Sequence, residues 1–378
     1  MAVPLFDTKT PVAPLRAEID ARIAAVLDGG AFILGPEVDA FERELADYLG
    51  ARHVVSVANG TDAITIALQA LGVGPGDEVV VPSFTFYASA EAIPPTGAAP
   101  VFCDVDRDTM NVTAETVKAA LTPRTKAVVA VDLFGNPADV AAIEALGVPV
   151  VEDAAQAAGS LLRDRRTAAL GTVGTLSFFP SKNLGCFGDG GAVVTDDDAI
   201  AEEARVLRFH GSRDKVSFER IGWNSRLDEL QAAILRVLLP QLDGWAAGRR
   251  AAWSNYEAAG LWELVTPQTA TSGAIPCWGL QVVRTPHAAL LAQALPAAGI
   301  GARSYYSTPL HRQRALTPWA GDVIPLPATD ALAQTHLAIP MNPLLSRADA
   351  DEVTAAVQAA LDGADASGAA GADAANAV

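Results

Sequence analysis

Seven apolar, β-rich runs between His53 and Thr195 constrain this chain more than any other feature. They span 53–58, 78–82, 99–105, 126–133, 149–152, 174–179 and 191–195, and helical or loop stretches separate most of them. Such alternation predicts an α/β fold: a mainly parallel seven-stranded sheet covered on both faces. Ligands of such sheets bind beyond the carboxyl ends of the strands. Asn59-Gly60-Thr61, Pro82 to Phe86, Asp153 and Ser177 all fall at or beyond those ends.

The flanking sequence frames that sheet. Residues 1–35 lead in with a helix, and Phe32, Ile33 and Leu34 sit on a loop between glycines before a helix that starts near Pro36. The apolar loop could line a pocket or pack under that helix. Past Thr195, a helix closes at His210-Gly211, and a long amphipathic helix is kinked or broken at Pro240. The expected organisation is a large α/β domain over 1–250, a smaller α+β domain over 251–361 and a disordered tail over 362–378. The tail is Ala, Gly, Asp and Ser without apolar periodicity.

Composition excludes several classes of function. With 27 basic against 44 acidic residues the net charge is −17, which argues against nucleic acid or an anionic membrane as partner. No apolar run reaches the 18 or so residues of a spanning helix, and no signal peptide opens the chain. Cys103, Cys186 and Cys277 are odd in number and far apart, so neither a disulfide framework nor a zinc site is indicated and a cytoplasmic setting is expected. The acids of DVDRDTMNVTAE have the spacing of a calcium loop, but Thr109 stands where its sharp turn needs glycine. A solvated strand-to-helix turn is the expected reading, and no metal site is predicted.

The chemistry gathers around GTLSFFPSKNLGCFGDGGAVVTDD, in which Lys182 sits on a loop between two buried strands. Ordinary lysines stand on solvated helix faces, so this placement suits reaction with a carbonyl. Asp153, just past an apolar run, could hold a pyridine nitrogen protonated, or it could cap the following helix. Gly60 and Thr61 at a helix start, with Ser177, could receive a phosphate, although a Gly-Thr start is also an ordinary cap. Phe84 or Phe86 could cover an aromatic ring, or could simply be core. An acid, a lysine and an anion-binding helix start at strand ends together suggest a pyridoxal phosphate site.

Particular motifs then carry a resemblance. ANGTDA, GPGDEVVVPSFTF, LTPRTKAVV, LFGNPAD, VEDAAQA, SFFPSKNLG, GDGGAVVT and NSRLDELQAAIL, between about Phe32 and Pro340, resemble the DegT/StrS-type (DegT/DnrJ/EryC/StrS) nucleotide-sugar aminotransferases. These are pyridoxal phosphate enzymes of fold type I. The resemblance implies that Lys182 is the Schiff-base lysine, that Asp153 pairs with the pyridine nitrogen and that Gln156 lies near the cofactor's phenolic oxygen. It implies that Phe86 stacks on the ring, that Gly60, Thr61 and Ser177 hold the phosphate, and that Asn224 reaches that phosphate from a partner subunit. Substrate contacts are implied at Gly30, Phe32, Ser181, Arg226, Tyr305 and Tyr306, with Arg226 on a nucleotide diphosphate.

The implied reaction moves an amino group from L-glutamate to C3 or C4 of a nucleotide-linked keto-deoxysugar, in a homodimer with shared active sites. Two departures bear on the substrate: many relatives have His-Tyr where this chain has Tyr305-Tyr306, and histidine where it has Ala158. Sugar dehydratases of the same fold carry histidine in place of the lysine, so Lys182 argues against that reading. A cofactor-binding regulator without turnover is the other alternative.

Overall fold

The computed structural model describes the backbone of residues 3–320 and 324–375, and side chains through 364. All seven expected runs form strands of one sheet: His53–Val57 (β1), Glu78–Pro82 (β2), Ala99–Cys103 (β3), Thr125–Val131 (β4), Val150–Asp153 (β5), Val173–Ser177 (β6) and Gly191–Thr195 (β7). Their order is β1-β7-β6-β5-β4-β2-β3. Only β7 runs against its neighbours, pairing antiparallel with both β1 and β6. Near-continuous valine runs suit such a sheet, because both faces of its central strands are dry. Every residue of β2 and β7 is buried.

The longer helices are Arg16–Gly29 (α1), Pro36–Leu49 (α2), Gly60–Ala70 (α3), Asp198–Arg208 (α4), Glu229–Leu238 (α5), Leu242–Ala258 (α6), Ala288–Ala297 (α7) and Arg347–Ala375 (α8). Period-two alternation sorts the strand side chains between two cores. Val55, Val57 and Val193 pack with α3 and α4, whereas Val54, Ala192 and Val194 pack with α2 and α5. The long helix breaks where proline predicts, with one 3-10 turn over Leu239–Gln241 between α5 and α6.

A second, antiparallel sheet joins Thr266–Pro267 (β8), Gln281–Arg284 (β9) and His336–Ile339 (β10). Val283, Leu337 and Ile339 face a third core built with α6, α7 and α8. The expected division at 250/251 falls inside α6, whose Leu242 belongs to the second core and whose Tyr256 belongs to the third. The backbone of α8 stays helical to Ala375, where a tail without structure had been expected from 362. From 365 on, that tail lies outside the residues whose side chains are described.

Two expectations need correcting. The fourth run stops at Val131 instead of 133, because Phe134 takes a left-handed turn (φ 61°) that breaks the extended backbone. In the aspartate-rich turn, Asp104 is half-buried and engaged: its carboxylate receives the N–H of Ala328 and both the N–H and hydroxyl of Thr329. Asp106 accepts the N–H groups of Asp108 and Thr109 and closes its own turn. Among the described residues no helix is long and apolar enough to cross a membrane.

One long-range cap holds the loop before α2. Glu229, on the first turn of α5 and 1% exposed, accepts the N–H groups of Gly35 (2.8 Å), Glu37 (2.9 Å) and Val38 (2.9 Å). These are the donors that the start of a helix leaves open, and a carboxylate there also meets the positive end of the helix. The Glu229 N–H in turn donates to the Phe32 carbonyl at 3.0 Å. Glu229→Ala is expected to lower the unfolding free energy by about 3 kcal/mol, since three backbone donors, one buried and two part-buried, lose a charged acceptor. Urea titration followed by circular dichroism checks this; a loss below about 0.5 kcal/mol, the size of an ordinary surface substitution, contradicts the cap.

Candidate active site

Geometry brings the loops at the carboxyl end of the sheet around one cavity of about 930 Å³. Gly60, Thr61, Phe86, Asp153, Gln156, Ser177, Ser181, Lys182, Tyr305 and Tyr306 all line it. Gly30, Phe32, Asn224 and Arg226 do not. Gly30 ends α1 in the left-handed conformation (φ 71°), and Phe32 is exposed on the loop that Glu229 holds. Asn224 is exposed, bridged through its backbone to Phe209, and its side chain caps nothing.

Asp153 ends β5 with its side chain toward the cavity and is only 5% exposed. Its carboxylate accepts the Ser89 hydroxyl at 2.8 Å and the Ala155 N–H at 3.2 Å. Burial pushes this carboxyl above its ordinary range, while Ser89, Ala155 and the charge of Lys182 pull it back. Lys182 follows β6 on a turn closed by its own N–H to the Phe179 carbonyl at 2.8 Å. Desolvation lowers the pKa of its amine and Asp153 opposes that shift, so the pair couples across the cavity. A lowered amine pKa means more free base, the form that attacks a carbonyl.

The opposite wall is a helix start. Asn59 caps α3 by accepting the Asp62 N–H at 2.8 Å. The amides of Gly60 and Thr61 find no protein acceptor among the described residues, which leaves two donors and the positive helix end for an anion. A β-carbon on Gly60 would lie 2.7 Å from the Ser177 β-carbon, so only glycine lets α3 start this close to the end of β6. Gly191 is equally constrained, because a β-carbon there would meet the Asn59 carbonyl oxygen at 2.4 Å. An amine, a carboxylate and an open phosphate cradle in one cavity fit pyridoxal phosphate.

The choice between two phenylalanines resolves by burial. Phe84 is fully buried, edge-on to Phe134, Tyr306 and His336. Phe86 is 53% exposed on the cavity wall and is the one able to cover a ligand. Gln156 accepts the Phe134 N–H at 2.8 Å and donates to the Tyr306 hydroxyl at 3.1 Å. Tyr306 also stacks on Phe134 (5.8 Å between ring centres, 12° between planes), and burial pushes its phenol up. The left-handed turn at Phe134 thus anchors both residues.

Two residues placed at the site escaped the sequence reading. Ser89 sits three positions past Phe86 in the same run, and its hydroxyl was the available signal. Arg303 lines the cavity two residues before the tyrosine pair, where a cation beside aromatics could have drawn notice.

Comparisons with known proteins agree with this geometry. Residues 14–358 match the DegT/DnrJ/EryC1/StrS aminotransferase family. The chain is 46% identical to a dTDP-3-amino-3,4,6-trideoxy-alpha-D-glucose transaminase of Streptomyces venezuelae, over 94% of this chain and 95% of that protein. It is 42% identical to a pleiotropic regulatory protein of Geobacillus stearothermophilus, over 91% and 95% respectively. Its fold superposes with a TM-score of 0.90 on S. venezuelae DesV in complex with a ketimine intermediate, at 44% identity, covering 94% of this chain and 97% of that one.

The Gly60 contact makes a direct expectation. In Gly60→Ala the new methyl must push α3 away from Ser177, so the variant should fold but retain pyridoxal phosphate at least about tenfold more weakly, the effect of losing one charge-assisted contact. Dialysis followed by absorbance of the bound cofactor measures it; wild-type retention contradicts the cradle.

Proposed function

The chain belongs to the DegT/DnrJ/EryC1/StrS aminotransferase family, and we propose that it moves an amino group from L-glutamate to a keto carbon, C3 or C4, of a nucleotide-linked deoxysugar. The observation that carries this reading is the meeting of Asp153, Lys182 and the open amides of α3 in one cavity. The name of the Streptomyces venezuelae relative supports the sugar substrate and favours C3.

Pyridoxal phosphate, the cofactor of this family, supplies an electron-withdrawing ring and an aldehyde that carries the amine. Gly60 and Thr61 donate their N–H groups, and Ser177 its hydroxyl, to the cofactor's phosphate. Asp153 keeps a proton on the pyridine nitrogen, and that cation in turn keeps the buried carboxylate ionised. Ser89 and Ala155 hold Asp153 in place for this task. Lys182 would hold the aldehyde carbon through its Nζ, with loss of water, and once free its Nζ would take up and return the proton that moves between two carbon atoms. Phe86 covers one face of the ring. Gln156, steadied by Phe134 and Tyr306, lies beside the phenolic oxygen.

Substrate recognition falls to Ser181, Tyr305 and Tyr306 on the cavity wall, and to residues outside it. Asn224 and Arg226, with Gly30 and Phe32, serve the site of a second subunit in a cytoplasmic homodimer. Three features support this assignment. Asn224 stands exposed, its side chain without a hydrogen-bond partner among the described residues. Phe86 and Phe179 are half exposed at the cavity, and Phe187 just past the Lys182 turn. Phe218 and Ile221, on the loop leading to Asn224, are more exposed still. Apolar exposure of this kind marks a surface that another protein covers. A binding-only reading is favoured by the name of the Geobacillus relative; measured turnover separates the two.

Borohydride reduction of the holoenzyme followed by peptide mapping is expected to fix the cofactor on Lys182, and a label on another lysine overturns the assignment. Asp153→Ala is expected to lower kcat by roughly 100-fold or more, as when a transition-state electrostatic partner is lost, whereas near-normal turnover makes Asp153 a helix cap only. For the shared site, Lys182→Ala and Asn224→Ala chains are mixed under proven subunit exchange. A heterodimer then has one site with both lesions and one with neither, so activity should return, up to half of wild type per heterodimer. No recovery, with Asn224→Ala impaired alone, refutes sharing.

A further inference from the structure

Charge within the cavity leaves a requirement that Lys182 and the helix start do not meet. Among the described residues two cationic side chains line it, Lys182 and Arg303, against three carboxylates, Asp62, Asp153 and Asp189. Lys182 is committed to the cofactor's aldehyde, and the open amides of α3 to its phosphate. A second phosphorylated ligand entering this space meets the carboxylates and the cofactor's own phosphate, all of one sign. Each such like-charged contact is repulsive, and more so in a partly desolvated cavity than in water. Such a ligand needs a cation of its own, and within this chain Arg303 is the one available.

Arg303 is built to present that charge. Its backbone is fixed by a two-way bridge to β10, its N–H donating to the Ala338 carbonyl at 3.0 Å and its carbonyl accepting the Ala338 N–H at 2.9 Å. Its guanidinium lies 5.3 Å from the centre of the Tyr305 ring, a cation–π contact that narrows the side chain's freedom. No carboxylate among the described residues lies within ion-pairing distance, whereas Arg163, Arg284 and Arg312 each have one. A planar fork held on one side by the Tyr305 ring and hydroxyl, with no carboxylate on it, suits phosphate oxygens. Arg226, the residue expected to take that role from sequence, does not reach the cavity of its own chain.

We propose that Arg303 grips the diphosphate of the nucleotide-sugar substrate and so sets which phosphorylated sugars the site accepts. The inference rests on the nucleotide-sugar reading above. An anion in this cavity has a second source, the carboxylates of the amino donor, and the experiment separates the two. Titration calorimetry of dTDP and of UDP into the holoenzyme reads nucleotide binding without turnover. Arg303→Met is expected to weaken that binding by roughly 10- to 100-fold, the loss of a charge-assisted hydrogen bond, and Arg303→Lys to restore part of it. Arg303 is exposed, so neither change should disturb folding.

The glutamate arm is followed by the change in cofactor absorbance on adding donor alone. If Arg303→Met raises the glutamate requirement as much as it weakens nucleotide binding, the cation serves the donor and the assignment to diphosphate falls. It falls equally if Arg303→Met binds the nucleotides as wild type does, or if Arg226→Met alone accounts for the loss; in both cases the nucleotide-sugar reading survives. Wild-type holoenzyme that binds neither dTDP nor UDP overturns that reading and the inference together.

Discussion

The site depends on one reversed strand. Because β7 runs antiparallel to β6, the connection between them begins and ends at the same edge of the sheet, where the parallel strands also end. Lys182 rides on that connection and therefore arrives beside Asp153, which β5 delivers by the ordinary parallel route. The turn is held at both ends by backbone bonds: the Phe178 N–H donates to Gly190 (2.7 Å), and the Cys186 N–H donates back to Phe178 (2.8 Å). Gly191, opposite Ser177, clears room for Asn59 and the start of α3. A parallel crossover in this position would also leave from this edge, but it would carry Gly191 to the other end of the sheet, away from Asn59 and the start of α3.

Neighbouring acids in β5 show how the sheet separates structure from chemistry. Glu152 and Asp153 are consecutive, so they point to opposite faces. Glu152 faces inward and accepts the N–H groups of Ala168, Leu170 and Gly171, holding the segment that leads back into β6. Beside it, burial and the Glu152 charge push the Asp132 carboxyl well up. Asp153 faces the cavity, where burial still pushes its carboxyl up but Ser89, Ala155 and Lys182 pull it back toward the charged form. Two carboxylates one residue apart thus take unlike roles because their surroundings differ, not their chemistry.

How much of this was legible beforehand follows from range. The seven strands could be read because each is a local run of β-branched residues, and the strand-end residues followed from the rule that such sheets bind at their carboxyl edge. Lys182, Asp153 and Gly60 belong to that local grammar. Ser89 and Arg303 do not, since their importance comes from partners 64 residues away in one case and from a bridge to Ala338 in the other. The turn at Phe134 was missed because a left-handed phenylalanine runs against its intrinsic preference and is stabilised by contacts distant in sequence, among them Gln156, Tyr306 and Phe84. For Gly30, Phe32, Asn224 and Arg226, resemblance supplied a role that one chain's geometry does not display.

The continuity of α6 bears on how a protein of this kind can be taken apart and recombined. Its first turn is anchored under the large sheet and its last turns in the third core, and that core also draws Val3 from the amino-terminal end, where Gly301 donates to the Val3 carbonyl at 2.8 Å. The smaller sheet is therefore not a cassette that could be exchanged by a cut near residue 250. A graft there would sever a helix, and a chain shortened at its start would open a core assembled from the opposite end. New specificities in such an architecture have to come from single side chains and loop tips around the cavity, with the scaffold inherited whole.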